Sequence, residues 1–366
     1  MSLEFPTYES IGVRPLINCR GTYTIISGSV ILPEVRQAMV EASKRYVHLD
    51  ELMAAVGTRL GELMGAEFGL VTNGCAAALC HVTAACIAGN EIEKMRRLPD
   101  TSGMKNEVIT QPSHRHIYDH AIRMTGAKMV EVKSAAELEA AVGERTAMIA
   151  VFGDAVDRGE VPLADLVRVG KKHGVPVLVD AAAERPDVPN VYLKAGVDAV
   201  AYSGGKCLRG PQASGLLLGR RDLLWTAFMN SAPHHALGRP MKAGKEEIMG
   251  LLAAVEMWVK RDHQGEWKEW ERRLAVIADA AAAIPGVSTS INQPGRSNVT
   301  PVLLLHWDAN ALGLTPEEVQ RLLSEGEPRI EVFTHHDGVN FNAYMMEAGE
   351  EPRVARRLGE ILAKKV

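Results

Sequence analysis

Apolar and polar positions alternate along this chain in two rhythms. Short apolar runs at 68–72, 107–110, 128–132, 147–151, 175–179, 197–202 and 213–218 are bounded by glycine, proline or polar clusters and predict strands. Among them lie stretches with apolar residues three and four apart, at 49–64, from 76 onward, at 135–142, 163–173 and 220–230, which predict helices. Pro33 opens a further helical pattern, and a helix is expected from the Gln111-Pro112-Ser113-His114 stretch through about Met124. Strand and helix in alternation imply βαβ units, and hence a mainly parallel sheet with helices on both faces. Residues 16–29 (LINCRGTYTIISGS) are polar and glycine-broken, and are expected to be irregular and near the surface.

Past residue 244 the rhythm changes. Two long helices are expected at 245–261 and 266–284, then strands at 287–292, 300–306, 330–333 and 339–341, with helices at 316–325 and 351–364. This predicts an N-terminal segment (1–48), a large domain (49–260) and a smaller α+β C-terminal domain (261–366). A chain of 366 residues is too long for one ordinary domain.

Charge and cysteine content narrow the function classes. The 41 Lys and Arg against 45 Asp and Glu give a net charge of −4, and no basic tract favours a nucleic-acid partner. The longest apolar runs are far short of a membrane span, and MSLEFPTYES lacks the basic and apolar regions of a secretory signal, so a cytoplasmic location is expected. Five scattered cysteines (Cys19, Cys75, Cys80, Cys86, Cys207) suit reduced thiols. There is no CxxC or HExxH spacing, and no metal is expected.

The chemistry concentrates at 175–215. One predicted strand ends in Asp180, and the next ends in Ser203-Gly204-Gly205-Lys206. Ligands of open α/β sheets bind at the carboxyl edge. A lysine there can form a Schiff base and an aspartate can hold a pyridinium nitrogen, the pairing that pyridoxal 5'-phosphate (PLP) needs. Alone, Asp180 could cap a helix and Lys206 could be a solvated charge; together they point to a cofactor site. Upstream, a strand, the turn Asn73-Gly74-Cys75 and a helix beginning at Ala76 form the arrangement in which free backbone N–H groups bind an anion. His114 and His116 each stand where an imidazole could lie on a pyridine ring, and the sequence does not choose between them. Gly153 and Asp154 fall in a polar loop at the same edge. The long loop 231–244, with His234, His235, Arg239 and Lys242, reads as an active-site or subunit-interface loop. Arg20 could bring a cation to a site.

With SGGKCLRGPQASG around Lys206, LVDAAAE around Asp180, TNGCAAAL at the glycine turn and INCRGTYT near the start, the chain resembles the bacterial selenocysteine synthase (L-seryl-tRNA selenium transferase) family of fold-type I PLP enzymes. The likeness also takes in the family's small-molecule relatives, such as D-glucosaminate-6-phosphate ammonia-lyase. It runs from about Leu16 to Leu362. It implies an α/β, aspartate aminotransferase-like large domain with a mainly parallel seven-stranded sheet and a smaller α+β C-terminal domain. It further implies Lys206 as the Schiff-base lysine, Asp180 beside the ring nitrogen, and Asn73, Gly74, Cys75, Ala76 and Ser203 around the phosphate. One of His114 and His116 would lie on the ring, and Arg329 would be a clamp for a substrate carboxylate.

The tRNA-using members of that family are similar only over their catalytic core and carry a further N-terminal tRNA-contacting region, whereas the motifs here begin almost at the first residue. A tRNA substrate is therefore not expected. The expected activity is a PLP-dependent lyase or transferase acting at Cα–Cβ of a small amino acid or amino-sugar acid, with ammonia release. Selenium or sulfur transfer to a seryl substrate, aldol cleavage, racemisation and a catalytically silent PLP-binding protein remain alternatives. A homodimer or higher homo-oligomer is expected.

Overall fold

In a computed structural model that describes residues 5–297 and 299–363, the strands in chain order are β1 (Ile17–Asn18), β2 (Phe68–Thr72), β3 (Glu107–Thr110), β4 (Lys128–Glu131), β5 (Thr146–Phe152), β6 (Val177–Asp180), β7 (Ala199–Ser203), β8 (Gly215–Gly219), β9 (Val287–Asn292), β10 (Val302–Trp307), β11 (Ile330–Glu331), β12 (Phe333–His335) and β13 (Gly338–Asn342). The chain divides into two units: Ser29–Arg261, and the described residues of Met1–Gly28 together with Asp262–Val366. Residues 29–48 thus pack with the large unit, and the residues before them with the C-terminal part.

The larger unit is built on a seven-stranded sheet in the order β2-β8-β7-β6-β5-β3-β4. All neighbours pair in parallel except β8, which runs antiparallel to both β2 and β7. Every residue of β2, β6 and β8 is buried, as expected for strands covered on both faces. The alanine-rich helix Gly74–Ala88 is apolar on nearly all sides and buries most of its length, so its small side chains allow a close approach to the sheet. Each large aliphatic side chain buried in this sheet, such as Leu70, Ile149 or Leu217, contributes about 1.5–3 kcal/mol relative to exposure.

In the smaller unit an antiparallel sheet, β12-β13-β10-β9, packs one face on the helices His263–Ala282, Pro316–Glu325 and Glu351–Leu362. Along β10 burial alternates, so Leu303, Leu305 and Trp307 enter the core with Phe341, Leu274 and Leu358, while Val302, Leu304 and His306 face away from it. The Trp307 Nε1–H donates to the Leu314 carbonyl at 2.7 Å, which satisfies its only donor.

Three expected elements differ. Residues 16–29 are not merely surface coil: β1 pairs in parallel with β11, and Ile17 and Cys19 are buried. Two residues are too few for a periodic signal, so a neighbouring strand supplies the order. The single strand expected at 330–333 is two strands in two sheets, β11 with β1 and β12 with β13, separated at Val332. The helix expected through Met124 is broken into 3-10 turns at Pro112–His114 and Ile117–Asp119 and one short α-turn at His120–Arg123. The C-terminal helix ends at Leu362; Lys364 lies outside the described residues.

Candidate active site

Register places the two central groups on neighbouring strands. Asp180 is the last residue of β6 and pairs with Ala201 of β7, two residues before that strand ends at Ser203; Lys206 follows in the next turn. Both therefore leave the carboxyl edge of the sheet side by side. A buried thiol, Cys75, feels both charges: its pKa is raised well above the ordinary thiol value by burial and by Asp180, and Lys206 opposes the rise.

The Lys206 turn is braced on several sides. Gly204 N–H donates to the Ser214 carbonyl and Gly210 N–H to the Gly204 carbonyl, each at 2.8 Å. Ser29 Oγ donates to the Gly205 carbonyl at 2.9 Å, and the Arg261 guanidinium reaches the carbonyls of Cys207 and Leu208 at 3.0 and 3.3 Å. Glycine is needed at both positions before the lysine. A Cβ on Gly204 would stand 2.1 Å from Ser214 Oγ, and one on Gly205 2.5 Å from Gln212 Oε1. The result is a backbone platform, held on several sides, that carries the lysine.

Asp180 is 6% exposed. Its Oδ1 accepts from the Ala182 N–H at 3.0 Å and from the Cys75 thiol at 3.4 Å. Its Oδ2 lies 3.8 Å from His116 Nε2, too far for a hydrogen bond but within Coulomb reach. Burial lowers the His116 pKa although Asp180 opposes this, so the ring is neutral at pH 7. Its Nδ1 accepts from the Tyr118 N–H at 3.3 Å, which leaves the proton on Nε2, facing the carboxylate. The imidazole stacks on Phe152, with centroids 4.0 Å apart and planes at 23°.

His114 is differently placed. It is buried, its Nδ1 accepts from the Phe152 N–H at 3.2 Å, and burial lowers its pKa. It is tied to the sheet edge, whereas His116 stands at the carboxylate.

At the start of helix Gly74–Ala88, Asn73 makes no capping hydrogen bond; its amide donates instead to the Lys242 carbonyl at 3.0 Å. Gly74 has φ +80°, a left-handed conformation that glycine adopts readily. The first-turn N–H groups of Cys75 and Ala76 are left without a side-chain cap, at the positive end of a 15-residue helix. Lys242 belongs to the loop 231–244, which therefore touches the helix start; His235 and Arg239 are exposed. Ser203 closes β7 with its N–H on the Ala182 carbonyl at 3.2 Å. Gly153 packs against Glu184, whose carboxylate accepts from Tyr192 Oη at 2.8 Å, while Asp154 pairs with Arg158 at 2.9 Å.

These residues fit PLP. An uncapped helix start suits its phosphate, a buried carboxylate its ring nitrogen, a neutral imidazole its ring face, and a braced amine its aldehyde carbon. A hollow of about 940 Å³, lined by residues that include Lys94, Lys105, Lys128 and Arg145, sits at the opposite, amino edge of the sheet.

Arg20 and Arg329 lie in the smaller unit, where both flank Glu331. Arg20 Nη1 is 3.8 Å and Arg329 Nη2 3.3 Å from its carboxylate, and each Nε is buried with no partner. Arg20 also lies over the Phe333 ring at 4.2 Å. Ser29, Arg261 and Phe152 carry no residue-type signature in the sequence, because they act through backbone carbonyls and a ring contact.

The mainly parallel sheet, with an aspartate and a lysine turn at the ends of neighbouring strands, is that of a fold-type I PLP-dependent enzyme. Residues 23–277 match the family model described as L-seryl-tRNA selenium transferase, and the chain belongs to that family. It is 32% identical to a D-glucosaminate-6-phosphate ammonia lyase of Salmonella typhimurium, over 97% of each chain. It is equally identical, at 32%, to a 5'-C-glycyluridine monooxygenase-decarboxylase of a Streptomyces species, over 97% of this chain and 92% of that one. An L-seryl-tRNA(Sec) selenium transferase of Moorella thermoacetica is 29% identical over 96% of this chain and 82% of its own. The solved structure of a D-glucosaminate-6-phosphate ammonia-lyase superposes with a TM-score of 0.88 at 29% identity, covering 99% of this chain and all of that one. The chain is thus a PLP-dependent enzyme of the lyase and transferase kind.

Proposed function

We propose that the protein eliminates ammonia from a small hydroxylated amino acid or amino-sugar acid, and that a phosphorylated sugar acid is the best candidate. The observation that carries this is the match of fold and chain length to the ammonia-lyase, together with the Asp180 and Lys206 pair on adjacent strand tips. When bound, PLP supplies an electron sink that stabilises negative charge at the carbon bearing the amine.

The chain supplies the rest. Asp180 would hold the ring nitrogen positive by charge, and Ala182 N–H and the Cys75 thiol orient one of its oxygens. Lys206 Nζ, carried on the braced turn, takes the proton from substrate Cα. Hydroxide then leaves Cβ with a proton, as water, and the resulting enamine takes up water to give ammonia and a 2-keto acid. The amides at 74–76 and the Ser203 hydroxyl would hold the cofactor phosphate, and His116 would lie against its ring.

Two relatives of equal identity carry different reaction names, so overall similarity alone does not select elimination over transfer or decarboxylation. A seryl-tRNA substrate is the weaker reading, since the net charge of −4 and the lack of a basic tract do not favour a polyanion. A homodimer or larger assembly is part of the same proposal and rests on the family to which the chain belongs. Among the described residues no helix is long and apolar enough to cross a membrane, and five free cysteines suit a cytoplasmic location. The test is incubation of PLP-loaded protein with hydroxylated amino acids and amino-sugar acids, with and without phosphate, following keto-acid and ammonia release. Turnover of an amino-sugar acid is the expected result; no release from any of them would overturn the proposal.

A further inference from the structure

In the smaller sheet, three strands bring His335 of β12, Gly338 of β13 and His306 of β10 into one row: His335 pairs with Gly338, and Gly338 with His306. Side chains in such a row share a face of the sheet. The middle position carries none, and a Cβ there would stand 1.8 Å from the Leu305 carbonyl oxygen and 3.1 Å from the His335 ring. The two imidazoles therefore meet across the glycine, with centroids 5.0 Å apart.

Asp337, in the two-residue turn between β12 and β13, closes the group. His306 Nδ1 lies 3.1 Å from both carboxylate oxygens, and His335 Nδ1 lies 2.9 Å from Oδ1. One ligand atom from each of the three residues lies within 4.8 Å of the other two. Ligand atoms about 2.0–2.1 Å from a tetrahedral ion stand roughly 3.3 Å apart, close to the separations found between the carboxylate and each ring. His336, exposed, approaches the same carboxylate at 3.1 Å.

We propose that His306, His335 and Asp337 form a binding site for a divalent cation of the Zn²⁺ type, separate from the PLP site. Two imidazoles and one carboxylate suit such borderline ions, and the fourth position is left for water or for His336. The surroundings are arranged as a metal requires. His306 Nε2 is 2.9 Å from Ser290 Oγ, and when Nε2–H donates there, Nδ1 turns a lone pair towards the carboxylate. Two acceptors facing each other repel, and a cation between them removes the repulsion. His335 Nε2 is buried with no hydrogen-bond partner, so its ring is held by packing with Nδ1 on the cluster. The bound ion pins the β12–β13 hairpin to β10. No short spacing reveals the site in sequence, because His306 and His335 are brought together only by strand order.

The experiment uses the full chain without a polyhistidine tag, stripped with a chelator and then titrated with Zn²⁺ by calorimetry and with Co²⁺ by visible absorption. One saturable equivalent is expected, with the d–d bands of four- or five-coordinate Co²⁺ bound by nitrogen and oxygen. Affinity should fall at least about tenfold in His306→Gln and Asp337→Asn, and by less in Ser290→Ala, with circular dichroism checking that each is folded. The wild-type Co²⁺ spectrum decides even if a variant does not fold. No saturable binding, a thiolate charge-transfer band, or unchanged affinity in folded His306→Gln and Asp337→Asn would overturn the proposal.

Discussion

The Cys75 thiol sits 3.4 Å from Asp180 Oδ1, and burial together with that carboxylate keeps the thiol protonated and donating. This contact joins the helix start, where a phosphate would bind, to the strand tip, where a ring nitrogen would bind. It makes the carboxylate part of a fixed acceptor network.

Removing the charge at Asp180 tests its role directly. Asp180→Asn keeps size and shape but offers a ring nitrogen no negative partner. Turnover is expected to fall about 100-fold or more while PLP is still captured, read by steady-state rates and bound-cofactor absorbance. Cys75→Ala should cost only several-fold, since the Ala182 N–H still holds Oδ1. Full activity in Asp180→Asn would refute the assignment.

The two histidines should separate by readout. His116, at the carboxylate and stacked on Phe152, is expected to contribute to cofactor binding, so His116→Ala should release PLP about 3- to 10-fold more readily on dilution. His114, buried against the Phe152 N–H, is expected to act on stability, so His114→Ala should lower the melting temperature more than His116→Ala does. The reverse pattern would exchange their roles.

Gly204 tests the brace under the lysine. The added methyl of Gly204→Ala meets Ser214 Oγ at 2.1 Å, and relieving that clash costs about 1–3 kcal/mol and shifts the turn. Denaturant titration should show the loss of stability, and rates should fall with it. Gly143→Ala, where nothing lies within 4 Å, should leave both unchanged.

His81 predicts a pH dependence of stability. Burial lowers its pKa to about 4, and both ring nitrogens lack partners. The unfolded chain, with an ordinary histidine value near 6.5, binds the proton first, so this contribution is fully present above that value and is lost as pH falls towards 4. Between pH 7 and pH 5 the loss attributable to His81 is about 2 kcal/mol. His81→Leu should flatten the unfolding free energy over that interval by this amount; an unchanged slope would contradict it.

The large sheet was legible because its strands are short, β-branched and separated by glycine turns, and the edges of β2 and β3 fell where the run of residues placed them. Asp180 and Lys206 were legible because each ends such a run. The pairing of β1 with β11 was not, since two-residue strands carry no period and their partner lies 313 positions away (17 to 330). The choice between His114 and His116 was not legible either, because it rests on which ring Phe152 N–H engages and which ring Phe152 stacks upon. The carbonyl-directed brace from Ser29 and Arg261 is invisible for the same reason: its acceptors are backbone atoms.

A covalent bond between Lys206 and PLP would show in the absorption spectrum of the purified, PLP-loaded protein. A band near the visible edge that borohydride removes is expected, with the reduced cofactor found by mass spectrometry on the peptide containing Lys206 and absent in Lys206→Ala. A label on any other lysine, or a Lys206→Ala protein with the same band and the same response to borohydride, would contradict it.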